Sequence, residues 1–330
     1  MSLANENPEE EQQISPEEYL STQKRSIRTK SWWATSVGGF VVLVHLGWLG
    51  LFALLGENPD FSVLFRSIFF VLGLFALAAG VWGFYYAKNL KLEDITPSAE
   101  AIEFLTQTQS AGRYYTFVLV GCIAAVFLAQ LSTGFEESIL AAGFVKRDVI
   151  ENGEYWRILT GGALHGGFLH IYFNSQALFG IASMTEVLSN RAHLAIVFLL
   201  SVIGGGLLSL AFVPTGQVVG ASGGIMGLIG YLAVYGYRRK AQLPPDFLKS
   251  VLINIGFIAA FGLIAYQIID NFSHAGGLMI GVLYGFIQVP KDLSQDPRKI
   301  NRVIEIAGIV AIAAYVAESA FAIFRIAKLS

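Results

Sequence analysis

The chain has 330 residues, of which 54% are hydrophobic and 14% charged, and its mean hydropathy is +0.58. A soluble domain is seldom so apolar, and a net charge of −2 supplies no cationic surface for nucleic acid. The single cysteine, Cys122, lies in an apolar run; it excludes an internal disulfide and a Cys-rich metal site and is left with a packing role.

The first 22 residues are acidic and polar (Glu6, Glu9, Glu10, Glu11, Glu17, Glu18), unlike a cleavable signal peptide, and are expected to be disordered within a polar cytoplasmic tail over 1–35. Beyond residue 35, apolar runs recur that are long enough for a hydrocarbon core of about 30 Å and too evenly apolar for barrel strands, so they predict helices. Spans are expected near 36–56, 63–87, 114–132, 168–187, 192–213, 222–238, 248–266, 274–289 and 303–325. The expected organisation is two N-terminal spans within 36–91, a linker or interfacial helix over 92–113, a core over 114–290, and a loop with a last helix over 291–330. Thr96 and Pro97 read as cap and first turn of the interfacial helix, and Ile102 and Leu105 as its apolar side.

Lys24, Arg25, Arg28 and Lys30 precede the first span, which places the N-terminus in the cytoplasm. Alternating from there, the remaining loop cations fall on the cytoplasmic side, and the outer loops at 57–62, 214–221 and 267–273 hold no Lys or Arg. The exception is 133–167, with Lys146, Arg147 and Arg157, an outer segment long enough to fold as a structure of its own. The last span puts Arg325 and Lys328 outside and Glu318 at membrane depth, which predicts packing against the core or partial residence in the interface.

The polar residues gather at one side of this topology. His165, His170 and Asn174 open the span at 168–187, Ser222 opens that at 222–238, and His274 that at 274–289, all from the outer side. Polar groups at membrane depth point to function. Ser222 sits in Gly220-Ala221-Ser222-Gly223-Gly224, where small neighbours allow close approach to the hydroxyl. A serine needs a base to become a nucleophile, and histidine suits that task near neutral pH. His274 is followed by Gly277, Gly281 and Gly285, and the serine span has Gly223 and Gly227 at the same spacing of four. Two such faces permit close helix contact, which brings hydroxyl and imidazole within the ~3 Å needed for proton transfer. His170 and Asn174, four apart on one helical face, can aim two donors at an oxyanion, and the backbone N–H of Ser222 can supply a third.

Trp156-Arg157, His165, His170, Asn174, Glu186, Gly220-Ala221-Ser222-Gly223, Asp270-Asn271, His274, Gly277 and Gly281 together resemble the rhomboid family of intramembrane serine proteases over roughly 114–290. The resemblance implies an all-α polytopic bundle whose six-helix rhomboid-like core carries two extra N-terminal and one extra C-terminal transmembrane helices. It implies Ser222 as nucleophile and His274 as base of a dyad without an acidic third member, with His170 and Asn174 as oxyanion donors. Trp156, Arg157 and His165 resemble structural residues of the first outer loop, Glu186 a polar anchor at the far end of its helix, and Gly220, Gly223, Gly277 and Gly281 support the site. Implied partners are transmembrane protein substrates and the lipid bilayer, with no metal, organic cofactor, nucleotide or nucleic acid. Two positions depart from the pattern: Met226 stands where some members have an aromatic residue, and Ser273 where alanine is usual.

Asp270 and Asn271 read as helix caps, and His45 and His193, without matching partners, as structural. Gly204-Gly205-Gly206 lacks the Lys and Ser/Thr of a phosphate loop and reads as helix packing. A catalytically silent rhomboid-like protein that binds transmembrane segments is the alternative, although both Ser222 and His274 are present. A solute transporter would call for an inverted repeat around a midplane site, which the sequence does not show. With no transit-like N-terminus, a bacterial inner membrane is the expected location.

Overall fold

The computed structural model describes residues 15–58, 60–108 and 111–329; the acidic residues at 1–14 lie outside these. The fold is an all-α polytopic membrane bundle, and contacts divide it into two compact units, one up to Thr96 and one from Pro97 onward. Each expected span corresponds to one long helix. Six of the nine are long and apolar enough to cross a membrane by length and composition alone. The other three, at Phe168–Leu188, Ser222–Arg238 and Asn271–Gln288, give up apolar positions to polar residues and glycine or are short.

In the first unit, α1 (Pro16–Leu54) begins twenty residues before the expected span. Its early start has local causes: Ser15 Oγ accepts from Glu18 N at 3.1 Å, proline occupies the first turn, and Glu17 and Glu18 suit the positive end of the helix dipole. Residues 16–22 are therefore helical, against the expectation of disorder. After α2 (Ser62–Arg66), α3 (Ile68–Asn89) packs on α1 through glycines. A Cβ at Gly38 would stand 2.5 Å from Leu77 N, and one at Gly80 2.6 Å from Thr35 N. His45 is spoken for, its Nδ1 bonded to Val41 O at 2.8 Å and its Nε2 to Ser67 Oγ, the cap of α3, at 2.9 Å.

The second unit starts with α4 (Ala99–Thr108). Its cap is Ser98, whose Oγ accepts from Ala101 N at 3.1 Å, while Thr96 instead donates its hydroxyl to Leu92 O, so the expected Thr96 cap lies two residues early. The helix buries Ala101 and Phe104 rather than Ile102. There follow α5 (Tyr114–Thr133), then α6 (Phe135–Ala142), β1 (Phe144–Val145), α7 (Lys146–Asn152) and α8 (Arg157–Thr160), which make up the expected self-contained segment. The bundle continues with α9 (Phe168–Leu188), α10 (Arg191–Phe212), β2 (Gln217–Val218), α11 (Ser222–Arg238), α12 (Phe247–Ile264), α13 (Asn271–Gln288) and α14 (Arg302–Ala327). β1 and β2 pair antiparallel, Phe144 opposite Val218 and Val145 opposite Gln217.

α11 is the centre of this unit. Thirteen of its residues are buried, and it packs against α9, α10, α12 and α13. Below it, the fully buried Arg239 donates to the carbonyls of Asp292 and Gln295 at 2.5 and 2.9 Å and ties the exit of α11 to the segment after α13. α14 packs against α5, α8 and α10, so it belongs to the core rather than to the interface, and Glu318 is buried on that packed side. A Cβ at Gly308 would lie 2.4 Å from that of Ala192, which shows how closely α14 meets α10.

Candidate active site

Ser222 opens α11 and His274 lies in the first turns of α13, and the two helices cross backbone on backbone. A Cβ at Gly277 would stand 2.0 Å from Gly223 O, and one at Gly281 1.8 Å from Gly227 O. Only glycine allows that approach, so the ladder read from the sequence is the contact itself. At the top of the crossing Gly223, next to Ser222, faces Ser273, next to His274: a Cβ on the glycine would be 3.0 Å from Ser273 Oγ. Ser222 and His274 thus lie half-buried at the same end of two touching helices. Among the described residues no hydrogen bond joins Ser222 Oγ to the His274 ring.

The start of α13 is fixed by one residue. Asp270 Oδ1 accepts from Phe272 N at 3.1 Å and Ser273 N at 3.0 Å, and its backbone carbonyl accepts from His274 N at 3.1 Å. Asp270 is therefore the cap, as its sequence position indicates, whereas Asn271 turns back to donate its amide to Gly262 O of α12 at 2.9 Å.

His170 and Asn174 approach from α9. Gly220, two residues before Ser222, has φ 122° and donates its N–H to Gly161 O at 2.9 Å. A Cβ there would lie 2.8 Å from His170 Nε2 and 3.8 Å from Asn174 Nδ2, so a left-handed backbone and lack of space both call for glycine. His170 Nδ1 accepts from Gly166 N at 3.3 Å, which in a neutral ring leaves the proton on Nε2, the nitrogen facing Gly220. Asn174 donates Nδ2–H to His170 O at 3.0 Å. A cavity of about 20 Å³, lined in part by Gly161, Gly162, Gly220, Gly223 and Ser273, lies behind the serine turn and has room for about one water.

A family profile for the Rhomboid domain matches residues 152–291. The chain is similar to Rhomboid protease GluP of Bacillus subtilis (strain 168), 29% identical over 201 residues, which cover 58% of this chain and 38% of that protein. It is 33% identical over 151 residues to RHOMBOID-like protein 6, mitochondrial, of Arabidopsis thaliana, covering 43% of this chain and 46% of the relative. With Putative rhomboid protease YdcA of Bacillus subtilis it is 32% identical over 143 residues, 43% of this chain and 71% of that protein. The chain belongs to the rhomboid family. It spans under half the length of GluP and of RHOMBOID-like protein 6.

Around the two helices, this rhomboid-family bundle is braced by buried polar residues. The Arg157 guanidinium donates to Leu140 O at 3.1 Å and Gly143 O at 2.9 Å, and pairs with Asp148 at 3.1 Å and with Glu154. Two guanidinium groups lie over the Trp156 ring, that of Arg157 at 4.6 Å and that of Arg325 of α14 at 4.9 Å from its centroid, with Phe321 edge-on. His165 is fully buried against His170, ring centroids 5.2 Å apart, and among the described residues neither ring nitrogen has a hydrogen-bond partner. Burial, and secondarily His170, push its pKa down to about 3. At the opposite end of α9, the Glu186 carboxylate accepts from Tyr115 N, Thr116 N and Thr116 Oγ1 at 2.9, 2.9 and 2.8 Å, capping α5 from another helix.

Two of the three cations that broke the loop-charge pattern, Lys146 and Arg157, are buried and paired with carboxylates, and only Arg147 is exposed. Lys146 was noted in the sequence as one of these exceptions but given no role; its place beside a set of expected outer loops without Lys or Arg was the available signal. Gln130 was also missed. Its carboxamide brackets the backbone of His165, accepting from His165 N at 2.9 Å and donating to His165 O at 3.0 Å, and a polar amide inside an apolar span was the clue. Of the two departures from the family pattern, Met226 is buried in the core, and Ser273 fits its hydroxyl against Gly205 and Gly223.

Proposed function

We propose that this protein is an intramembrane serine endopeptidase that hydrolyses peptide bonds in or near transmembrane segments. The observation that carries the reading is the glycine crossing of α11 and α13, which sets Ser222 and His274 at one end of two touching helices beside His170 and Asn174. Relatives such as GluP and YdcA bear the name protease.

In the first step Ser222 Oγ attacks the scissile carbonyl carbon while His274 takes the hydroxyl proton. The resulting oxyanion accepts hydrogen bonds from His170 Nε2–H, Asn174 Nδ2–H and the backbone N–H of Ser222. Collapse breaks the C–N bond, and the leaving amine takes the proton from imidazolium. Water then gives a proton to His274 and attacks the acyl ester, and the returning proton restores Ser222 as the acid product leaves. The N-terminus lies in the cytoplasm and the site opens to the outer face of a bacterial inner membrane, where water is at hand.

A second reading, a catalytically silent member that binds transmembrane segments, draws on the missing hydrogen bond between Ser222 and His274. The two are separated by comparing wild type, Ser222→Ala and His274→Ala for fluorophosphonate labelling and for cleavage of a reporter transmembrane substrate. The protease reading expects labelling and cleavage in wild type alone. Equal behaviour of all three proteins would remove it.

A further inference from the structure

Lys146, at the start of α7, reaches both halves of the site. Its backbone N–H donates to Gly216 O at 3.1 Å, and the two residues before it form the ladder with Gln217 and Val218 on the approach to Ser222. Its side chain, 3% exposed, runs the other way and places Nζ 3.7 Å from Asp270 Oδ2. That same oxygen takes a hydrogen bond from Ser209 Oγ of α10. Asp270 in turn holds the N–H groups of Phe272, Ser273 and His274.

From this connection we infer that Lys146 is a positioning residue for the Ser222–His274 pair, locking the start of the histidine helix to the segment that delivers the serine. The inference rests on the protease reading above. Its physical basis is the cost of stranding a charge: a buried pair is a weak net stabiliser, but with one partner removed the other is left uncompensated and moves toward water. Without Lys146, the Asp270 carboxylate keeps only Ser209 and its own helix N–H groups, and relief of its charge would pull the first turn of α13, with His274, away from Ser222. Burial works against the ammonium, lowering the Lys146 pKa, and Asp270 opposes that shift.

The measurement is the second-order rate of fluorophosphonate reaction with Ser222, read separately from the final labelled fraction, which reports folded protein. Lys146→Met should react about tenfold more slowly at an unchanged end point. Lys146→Arg, which keeps the charge, should stay within about threefold of wild type. Asp270→Asn keeps a good cap without the charge, so Lys146→Met/Asp270→Asn should regain most of the lost rate. Lys146→Met reacting at the wild-type rate, or losing only end point, would overturn the inference while leaving the protease reading intact. Should Lys146→Met not fold, the same comparison passes to the double variant and Lys146→Arg, and a double variant more than tenfold slower than Lys146→Arg would count against the coupling. A wild-type protein inert to the probe would remove the protease reading, and this inference with it.

Discussion

α1 with α3 in one unit and α11 with α13 in the other are each drawn together by glycine, and in each a histidine lies near the contact. His45 has both ring nitrogens satisfied by Val41 O and Ser67 Oγ, so its ring serves the packing of its own pair. At the other contact the ring of His274 and the hydroxyl of Ser222 lie half-buried at an end where two further donors converge. Small residues bring helices close in both cases. What separates a packing contact from a candidate reaction centre is whether polar groups with spare hydrogen-bonding capacity meet at one end of it.

That contrast breaks most sharply at the glycines. Gly281→Leu drives a side chain into the Gly227 carbonyl and should abolish fluorophosphonate labelling at Ser222. Gly80→Leu makes a comparable collision with the Thr35 backbone in the other pair and should leave the labelling rate within about twofold, the scatter expected of independent sites. Equal loss in both would mean that the pairs are not separable.

A smaller effect is expected at His165. Its folded pKa of about 3 lies below its ordinary 6.5, so the unfolded chain takes up the proton first and stability falls as pH drops from about 6.5 toward 3. The slope should reach up to about 1.4 kcal/mol per pH unit, and His165→Gln should remove it. Thermal unfolding in detergent at pH 7 and pH 5 reads this directly, and an unchanged difference between those two conditions would refute it. The smallest effect on the site belongs to His45→Ala. It should destabilise this unit by about 1–2 kcal/mol through two lost hydrogen bonds, one within α1 and one to the cap of α3, and leave the Ser222 labelling rate as it was.

The long helices and the convergence of polar residues at one end could be read from the chain because both follow from local pattern: apolar length, and glycines four apart at 223 and 227 and at 277, 281 and 285. What was not legible depends on partners distant in sequence. The short helices between α5 and α9 are held by Arg157 and Gln130 reaching carbonyls and backbone 14 to 35 residues away. The N-terminal stretch of α1 has no apolar signal, only a cap and good helix formers. The sequence marks Lys146 only as a cation of the 133–167 segment, and the fold shows that its ammonium is enclosed with Asp270.

α14 lies beyond the stretch that matches the family profile, which ends at residue 291. Yet its Tyr315 hydroxyl donates to Gly162 O at 3.4 Å, next to the Gly161 carbonyl that holds Gly220, and its Arg325 and Phe321 clasp Trp156. A fragment cut at the family boundary would therefore shed the outer wall of its own first loop. The packing that encloses this loop runs on through α14, more than thirty residues past the end of the family profile's match.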